Sequence, residues 1–426
     1  MENTKRIMDL LDRSHSIYHV VENLVSLFPD FTRLDETQLA KLSAGQDYVL
    51  TRNGSTFAAI RLPKQAPKAL KIVATHNDSP SFKLKPNPLV KKGNVWSLNV
   101  EPYGGMIMAP WFDRPLSFAG RIVYRKDGVV DAKLIDVDAD LLVIPNLCIH
   151  MSRDVNSGHA FNPAKEMLPV FSQAELPEGG FPAYVLSQAG IEGGELMAHD
   201  LFLYTRQKAL RVGLNGEFLL SPRLDDLSSA YTSALAFANA KKSETAVQIF
   251  VSFDNEEVGS LTRQGANSTF LRDLVSIIMA TYGLNKAEEL ALISRSFMFS
   301  ADNAHANHPN YPEISDMTTN VKMNGGIVIK YNANAKYTSD ALSSAYAKTI
   351  AAEAGVPFQE YTNRSDMRGG STLGNLSNSE VSLNCVDIGM AQLVMHSCVE
   401  MQGAEDIDHA ISFLKTFYET ETEPLR

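Results

Sequence analysis

The chain has 426 residues, of which 44% are hydrophobic and 21% are charged, and its formal net charge at pH 7 is -10. This length exceeds that of one ordinary hydrophobic core and predicts two domains. The acidic balance argues against a nucleic-acid-binding surface, so we expect no nucleic-acid partner. Cys148, Cys385 and Cys398 are too few and too irregularly spaced for a disulfide framework or a cysteine metal site. Any bound metal would therefore need histidine and carboxylate ligands.

The N-terminal segment is charged, and its apolar residues recur at helical spacing. They predict two helices between residues 6 and 27, interrupted near Ser14–Ser16. No apolar segment typical of a signal peptide follows, and no uninterrupted apolar run is long enough to cross a bilayer. We therefore expect a cytoplasmic protein without a membrane partner.

The next part of the chain predicts strands and then a change of pattern. A hairpin is predicted at residues 47–60, because Asn53-Gly54 is a strong turn signal. A buried strand follows at residues 69–75. From about residue 82 to residue 210, short alternating runs are separated by proline and glycine, and long helical patterns are absent. This pattern predicts an inserted all-β domain.

After the insertion, apolar runs typical of buried strands alternate with helical patterns. This alternation predicts a mixed α/β sheet with helices on both faces. We place the inserted domain at residues 86–210, between two parts of a catalytic α/β domain at residues 1–85 and 211–426. The predicted strands and helices of the second part lie at 224–240 (helix), 246–251, 297–300 and 326–330 (strands), 338–354 (helix), 381–386 (strand) and 396–420 (helix).

Glu256 and Glu257 stand just beyond the predicted strand at 246–251. Two adjacent carboxylates at close range raise the pKa of one of them unless a cation neutralises the pair. A divalent metal ion would resolve this conflict, with one glutamate as ligand and its neighbour as general base. A solvated acidic turn is the simpler interpretation when the pair is considered alone.

Further histidines and acids stand where other predicted strands end or predicted helices begin. Each one alone is explained by a buried histidine, a helix cap or a turn. Two histidines and several acids together are the ligand set of a two-metal hydrolase without thiolate ligands. The residues are His76, Asp78, Asp225, Asp226, Asp302 and His396.

In their order along the chain, these residues resemble the motifs of the co-catalytic zinc aminopeptidases, and in particular the aspartyl aminopeptidase family in its bacterial form. The likeness extends over essentially the whole chain, and it implies a mixed-sheet zinc-peptidase fold with an inserted β domain. The stretches that carry it are His76-x-Asp78, Asp225-Asp226, Glu256-Glu257, Ser300-Ala301-Asp302, Met395-His396-Ser397, Thr75–Pro80, Pro145–His150 and Ile329–Asn334.

The resemblance implies two divalent metal ions per subunit, zinc in the first place and cobalt or manganese as alternatives. Asp225 would bridge the two ions. His76 and Asp302 would complete one site, and Glu257 and His396 the other. Spacing alone does not separate Asp225 from its neighbour as the bridging residue, so this assignment depends on the family pattern.

The resemblance also implies two catalytic roles. Glu256 would be the general base that takes a proton from the attacking water and returns it to the leaving amine. Asp78 would accept the second ring N–H of His76 and so fix its tautomer. One metal ion would hold the free α-amine of the substrate, which restricts cleavage to the first residue of a peptide.

Three residues resemble substrate-binding positions. His150, in the inserted domain, would reach the active site of a neighbouring subunit, although a locally packed loop histidine explains it equally well. Lys330 and Tyr337 would line the pocket for the substrate side chain. A buried lysine favours an acidic N-terminal residue, but Lys330 could simply extend from a strand end. Arg364 and Arg368 are other candidates for recognising a carboxylate.

The expected activity is thus removal of N-terminal residues, with aspartate or glutamate preferred, from peptides with a free N-terminus. Three alternatives remain: an aminopeptidase that prefers apolar residues, a di-metal amidase or deacylase of small N-acyl substrates, and a non-catalytic assembly with structural metals. Similar proteins form tetrahedral dodecamers, so the resemblance implies a homo-oligomer whose contacts use the inserted domain.

Overall fold

The computed structural model describes residues 2–424. Within these residues the backbone forms ten α-helices: α1 (Glu2–Leu11), α2 (Ile17–Ser26), α3 (Pro163–Glu166), α4 (Gly180–Gln188), α5 (Leu224–Asn239), α6 (Phe270–Thr281), α7 (Lys286–Ile293), α8 (Ala341–Ala354), α9 (Leu373–Glu380) and α10 (Asp406–Glu419). None of the helices in this part of the chain combines the length and the apolar character needed to cross a membrane.

The same residues form twenty strands. Their bounds are β1 (Thr32–Asp35), β2 (Asp47–Arg52), β3 (Thr56–Arg61), β4 (Ala69–His76), β5 (Ser81–Lys92), β6 (Val95–Tyr103), β7 (Leu116–Lys126), β8 (Val129–Asp136), β9 (Val170–Ser172), β10 (Glu195–Thr205), β11 (Leu210–Val212), β12 (Phe218–Ser221), β13 (Ala246–Phe253), β14 (Phe297–Ala301), β15 (Ala304–His305), β16 (Ile327–Tyr331), β17 (Phe358–Thr362), β18 (Asn384–Gly389), β19 (Ala391–Leu393) and β20 (Glu400–Gly403).

A nine-stranded mixed sheet, in the order β1-β2-β3-β13-β4-β14-β18-β16-β17, organises the fold. Four neighbouring strands, β13, β4, β14 and β18, run parallel to one another. Phe253 pairs with His76, and Ser300 pairs with Ala74, so the carboxyl ends of these strands lie at one edge of the sheet. Ligands of open α/β sheets bind at this edge.

Helices cover both faces of the nine-stranded sheet, because successive strand residues point to opposite sides. Phe250 and Val73 pack with α1, α2, α5, α8 and α10 on one face. Ile249 and Ile72 pack with α6, α7 and α9 on the other face. Burial on both sides explains why the central strands are continuous apolar runs in the sequence. The predicted mixed α/β sheet is confirmed.

A second sheet of six antiparallel strands, in the order β8-β7-β10-β5-β6-β9, lies within residues 81–205. Its own core is built around Phe82, Phe118 and Phe181. The predicted β domain is thus present, but it also contains α3 and α4, which the sequence pattern did not predict. Helix α4 is short and contains a proline, and it is held by the tertiary contacts of its apolar residues with this core. The boundaries at 86 and 210 stay a prediction.

The predicted local elements of the N-terminal part are confirmed. Helices α1 and α2 flank the predicted interruption near Ser14–Ser16. Strands β2 and β3 form the predicted hairpin, with Arg52 paired to Thr56 across the Asn53-Gly54 turn.

The helix predicted at residues 396–420 is wrong in its first part. Helix α10 begins only at Asp406, and residues 400–403 form β20 instead. Strand β20 pairs with β12 in a five-stranded sheet of order β11-β12-β20-β19-β15. Because β12 is remote in sequence, local spacing gives no sign of this pairing. His396 therefore lies in the turn between β19 and β20 and not at a helix start.

Candidate metal centre

The structure brings the five predicted metal ligands together at the carboxyl edge of the nine-stranded sheet. Three of them stand at or just beyond the ends of the adjacent strands β4, β14 and β13, one stands in the first turn of α5, and one lies in the turn before β20. In that order they are His76, Asp302, Glu257, Asp225 and His396.

The carboxylate of Asp225 lies between the two histidines. Its Oδ1 is 3.5 Å from His76 Nε2, and its Oδ2 is 3.4 Å from His396 Nε2. Asp302 Oδ1 is 3.7 Å from His76 Nε2, and Glu257 Oε2 is 3.3 Å from His396 Nε2. One aspartate thus serves two separate groups of potential ligand atoms.

The donor set fits zinc. Zinc binds nitrogen and oxygen at about 2.0–2.1 Å, so neighbouring ligand atoms of a tetrahedral site lie about 3.3 to 3.4 Å apart. The four histidine–carboxylate distances, 3.3 to 3.7 Å, are close to this spacing. Asp225 Oδ1 and Glu257 Oε1 are buried and have no hydrogen-bond partner within residues 2–424. A buried anionic oxygen without a partner is costly, and a bound cation would remove that cost.

The protonation behaviour of the acids also points to a cation. Burial, aided by the charges of Asp302 and Asp78, raises the pKa of Glu256 to about 8. Burial and the charge of Asp225 raise the pKa of Glu257 well above its ordinary value. Carboxyl groups packed together in this way are ionised only when positive charge is close, and a bound divalent ion is often the largest local charge in such a site.

Asp78 makes contacts in addition to the predicted one with the His76 ring. His76 Nδ1 lies 3.1 Å from the backbone oxygen of Asp78 and 3.4 Å from its carboxylate Oδ1. The same carboxylate accepts hydrogen bonds from the backbone N–H of Glu256 at 3.1 Å and of Glu257 at 3.2 Å. Asp78 therefore connects a histidine at the end of β4 to the turn that carries both glutamates after β13.

Asp226 also borders the site, but it lies only beside the ligand group that contains His76 and Asp302. Its Oδ2 accepts a hydrogen bond from the backbone N–H of His76 at 3.2 Å, and burial raises its pKa well above the ordinary value. Of the two aspartates, only Asp225 lies close to Glu257 and His396 as well as to His76. The geometry thus distinguishes the two aspartates where their spacing in the sequence does not.

Glu400 is a buried residue of the site that sequence reasoning missed. Its two carboxylate oxygens accept the backbone N–H groups of His396 at 2.7 Å and of Asp225 at 2.9 Å. The available signal was a single acid within the run Cys398–Gly403, but its significance depends on the pairing of β20 with β12.

A cavity of about 300 Å³ opens beside the metal centre and is lined by Glu256, Lys330 and Tyr337 among others. Lys330 is 2% exposed, and its Nζ donates to the backbone oxygen of Asp302 at 2.7 Å. Burial by itself lowers the pKa of Lys330. The charge of Asp302 and, to a smaller extent, the electrostatic interaction with Tyr337 outweigh burial and raise this pKa above its ordinary value. The Lys330 ammonium also lies 5.2 Å from the centre of the Tyr337 ring.

Two predicted substrate contacts lie outside this cavity. His150 is on an exposed segment and is not among the residues that line it. The guanidinium of Arg364 donates one hydrogen bond of 2.6 Å to each carboxylate oxygen of Asp366. It also donates to the backbone oxygen of Glu313. Its guanidinium is thus engaged on the surface, which argues against the role considered for it.

Residues 10–418 match the model of the aminopeptidase I zinc metalloprotease family (M18). A probable M18 family aminopeptidase 2 of Clostridium acetobutylicum is 39% identical over 428 residues, covering 98% of this chain and 99% of that protein. The chain is thus a zinc-dependent metallopeptidase of the aminopeptidase class. It belongs to the M18 aminopeptidase family.

Solved structures show the same fold. The cryo-EM structure of the Ape4 and Nbr1 complex aligns with a TM-score of 0.93 at 32% identity, over 98% of this chain and 85% of that one. The S. cerevisiae mApe1 dodecamer aligns with a TM-score of 0.86 at 25% identity, over 97% of this chain and 96% of that one. The likeness includes the β domain as well as the nine-stranded sheet.

Proposed function

We propose that this aminopeptidase works with two zinc ions per subunit, which His76, Asp302 and Asp225 on one side and Glu257, His396 and Asp225 on the other would hold. The observation that carries this proposal is the position of Asp225, whose two oxygens lie 3.5 and 3.4 Å from the Nε2 atoms of two different histidines. A single metal site would leave one histidine and one carboxylate without a purpose.

Bound zinc would supply Lewis-acid chemistry, which makes water acidic near neutral pH and polarises a carbonyl group. Glu256 lines the cavity, and its carboxylate lies within ligand distance of His76 and Glu257. Because the five assigned ligands already supply both metal ions, we assign Glu256 the role of general base. It would take the proton of the attacking water and pass it to the leaving amine. Asp78 keeps this base in place through the backbone N–H of Glu256.

We further propose that the cavity selects an acidic N-terminal side chain. Lys330 is a buried cation on its wall, and a carboxylate on the substrate would complement that charge. Its present counter-charge is Asp302, whose Oδ2 lies 3.4 Å from Nζ. If Asp302 ligates a metal ion, less of its negative charge is available to Lys330, and an acidic substrate gains a partner.

The alternatives differ in the substrates that they predict. An apolar-preferring aminopeptidase would favour leucine at the N-terminus, and a deacylase would cleave N-acetylated substrates. A non-catalytic assembly has no use for a base beside the ligands, and the position of Glu256 in the cavity is evidence against it. The structure gives no specific observation in favour of any of the three.

A homo-oligomeric state, and a dodecamer in particular, is proposed by analogy with the mApe1 dodecamer that this chain resembles. Within such an assembly, the exposed His150 would contact the cavity of a neighbouring subunit. All three cysteines are free thiols, which fits the proposed cytoplasmic location.

The proposal is tested with a panel of aminoacyl-amide substrates that differ only in the N-terminal residue, each with a free and an N-acetylated amine. We expect zinc-dependent cleavage of the free amines, with aspartate and glutamate favoured over leucine, and loss of cleavage with a chelator. Cleavage of the acetylated series would favour the deacylase instead. A leucine preference would contradict only the acidic specificity.

A further inference from the structure

A short segment at the end of β6, Tyr103–Ile107, reaches from the six-stranded sheet to the metal centre. The hydroxyl of Tyr103 donates a hydrogen bond to Asp78 Oδ2 at 2.6 Å and accepts one from Asn255 Nδ2 at 2.9 Å. Asp78 in turn accepts the backbone N–H groups of Glu256 and Glu257. The Tyr103 hydroxyl therefore contacts the turn that presents both glutamates directly, through Asn255, and indirectly, through Asp78.

The same segment holds His396. The backbone oxygen of Gly105 accepts a hydrogen bond from His396 Nδ1 at 2.6 Å, which leaves Nε2 free to act as a ligand. The backbone N–H of Ile107 donates to the backbone oxygen of His396 at 3.0 Å. His396 has a φ of 66°, a left-handed conformation that is strained for a non-glycine residue, so these contacts oppose its relaxation.

Gly104 brings the segment against Glu257. Its φ is +74°, and a Cβ atom at this position would lie 3.2 Å from Glu257 Cβ and 3.4 Å from the Glu257 backbone oxygen. The positive φ therefore favours glycine, and a Cβ atom would press against Glu257, which would have to shift by a few tenths of an ångström. Tyr103, Gly104 and Gly105 thus contact, directly or through Asp78, the two residues assigned to one metal ion.

We propose that Tyr103–Ile107 is an orienting part of the metal centre: the β domain, through this segment, positions Glu257 and His396 and so sets the affinity of the ion that they hold with Asp225. This inference rests on the proposed two-zinc function. It gives the β domain a role within each subunit that is separate from any contact between subunits. Tyr103 is a positioning residue, because its hydroxyl reaches Asp78 and Asn255 and not the cavity.

The test compares zinc retention in wild type, Tyr103→Phe and Gly104→Ala, none of which changes a ligand. Each protein is dialysed against buffers of graded free zinc, and zinc per subunit is measured by elemental analysis. Removal of groups that orient ligands typically lowers metal affinity about 10- to 100-fold. We expect each variant to lose one equivalent at a zinc concentration where wild type retains two.

A second readout separates orientation from general damage. We expect the kcat of Tyr103→Phe to fall, with KM changed less, and to recover when excess zinc is added. The matched control is Tyr124→Phe on β7 of the same sheet, whose hydroxyl lies 3.4 Å from Asp131; its zinc retention should equal that of wild type. If Tyr103→Phe does not fold, Gly104→Ala alone decides the question.

The inference is overturned if folded variants retain both zinc ions with wild-type affinity, or if they lose both ions in parallel. Wild type itself reports on the proposed function. If wild type binds fewer than two zinc ions or cleaves no free-amine substrate, the two-zinc function fails, whereas two ions in wild type and in both variants defeat only the role of this segment.

Discussion

Glu400 Oε1 accepts a hydrogen bond from the backbone N–H of His396 at 2.7 Å. The other oxygen accepts the backbone N–H of Asp225 at 2.9 Å. Glu400 is 2% exposed, and burial, with the charge of Asp225, raises its pKa to about 8. One buried carboxyl group thus fixes the backbone of both the proposed bridging aspartate and a proposed ligand of the second ion.

Glu400→Gln should therefore weaken zinc binding. Glutamine keeps the shape but replaces one acceptor oxygen with an NH₂ group, which would face a backbone N–H that also donates. We expect zinc affinity to fall about 10- to 100-fold, measured by competition with a chromophoric chelator. Glu192→Gln, at an exposed position, is the matched control. Unchanged zinc affinity in Glu400→Gln would contradict the orienting role.

Glu256→Gln should separate catalysis from metal binding. A glutamine cannot accept the proton of the attacking water, and general base catalysis contributes about 10²- to 10⁴-fold. We expect kcat to fall by this factor while two zinc ions remain bound, as measured by steady-state kinetics and elemental analysis on the same preparation.

Glu257→Gln is the contrasting variant, because it alters a proposed ligand and should lose zinc along with activity. Wild-type turnover by a zinc-loaded Glu256→Gln protein would show that another group acts as base. Loss of zinc from Glu256→Gln would instead make Glu256 a ligand.

The positions of the ligands on the central sheet could be predicted because they depend on local pattern. Continuous apolar runs mark β4, β13 and β14 as strands buried on both faces. His76, Glu257 and Asp302 stand at or just after the ends of these runs, and parallel strands bring such ends to one edge. The three ligands at the strand ends could therefore be identified from the sequence alone.

The remaining contributions depend on tertiary contacts that no local pattern encodes. Local spacing predicts that His396 lies at a helix start. The structure differs because β20 pairs with β12, which is remote in sequence, and local spacing gives no sign of this pairing. Glu400 acts through the backbone of Asp225, 175 positions away. Tyr103 acts through Asp78 and comes from a different sheet. A single sequence shows these residues only as an ordinary acid and an ordinary tyrosine at a strand end.

Lys330→Met should reduce the proposed preference for acidic N-terminal residues. The variant keeps an unbranched side chain of similar length but removes the buried charge. Loss of one partner of a buried charge pair costs at least about 2 kcal/mol, equivalent to about 30-fold in a rate or binding ratio. We expect the ratio of kcat/KM for aspartyl over leucyl substrates to fall by about this factor.

Because Lys330 also contacts Asp302, zinc content must be measured in the same samples, and the ratio of the two substrates cancels a uniform loss of activity. Lys322→Met, an exposed lysine of the same region, should leave the ratio unchanged. An unaltered ratio in zinc-loaded Lys330→Met would assign the specificity to other residues.

Asp200 connects the β domain to helix α2. Its Oδ1 lies 2.9 Å from Lys83 Nζ, and its Oδ2 accepts hydrogen bonds from Arg121 Nη2 and the Tyr18 hydroxyl, each at 3.0 Å. Burial raises the pKa of Asp200, but the contacts with Lys83, Arg121 and Tyr18 outweigh burial, so the pKa lies below its ordinary value. The folded state thus favours the ionised carboxylate.

This shift sets the pH dependence of stability. Because the folded pKa is lowered, the contribution of Asp200 is fully present above the ordinary aspartate pKa of about 3.9 and is lost as pH falls through the folded value. Asp200→Asn should therefore lower the free energy of unfolding by about 1–3 kcal/mol at pH 7, and the difference from wild type should shrink below about pH 4. Urea unfolding at several pH values measures both quantities.

Asp127→Asn is the matched control, because Asp127 is exposed in the turn between β7 and β8 and has a φ of 50° that asparagine also adopts. Its effect should stay within about 0.5 kcal/mol at every pH. A destabilisation by Asp200→Asn that stays constant as pH falls toward 3 would mean that the neutral side chain packs poorly and that the charge of Asp200 contributes nothing. A destabilisation that fades with acid identifies the ionised carboxylate as the group that holds α2 against the β domain.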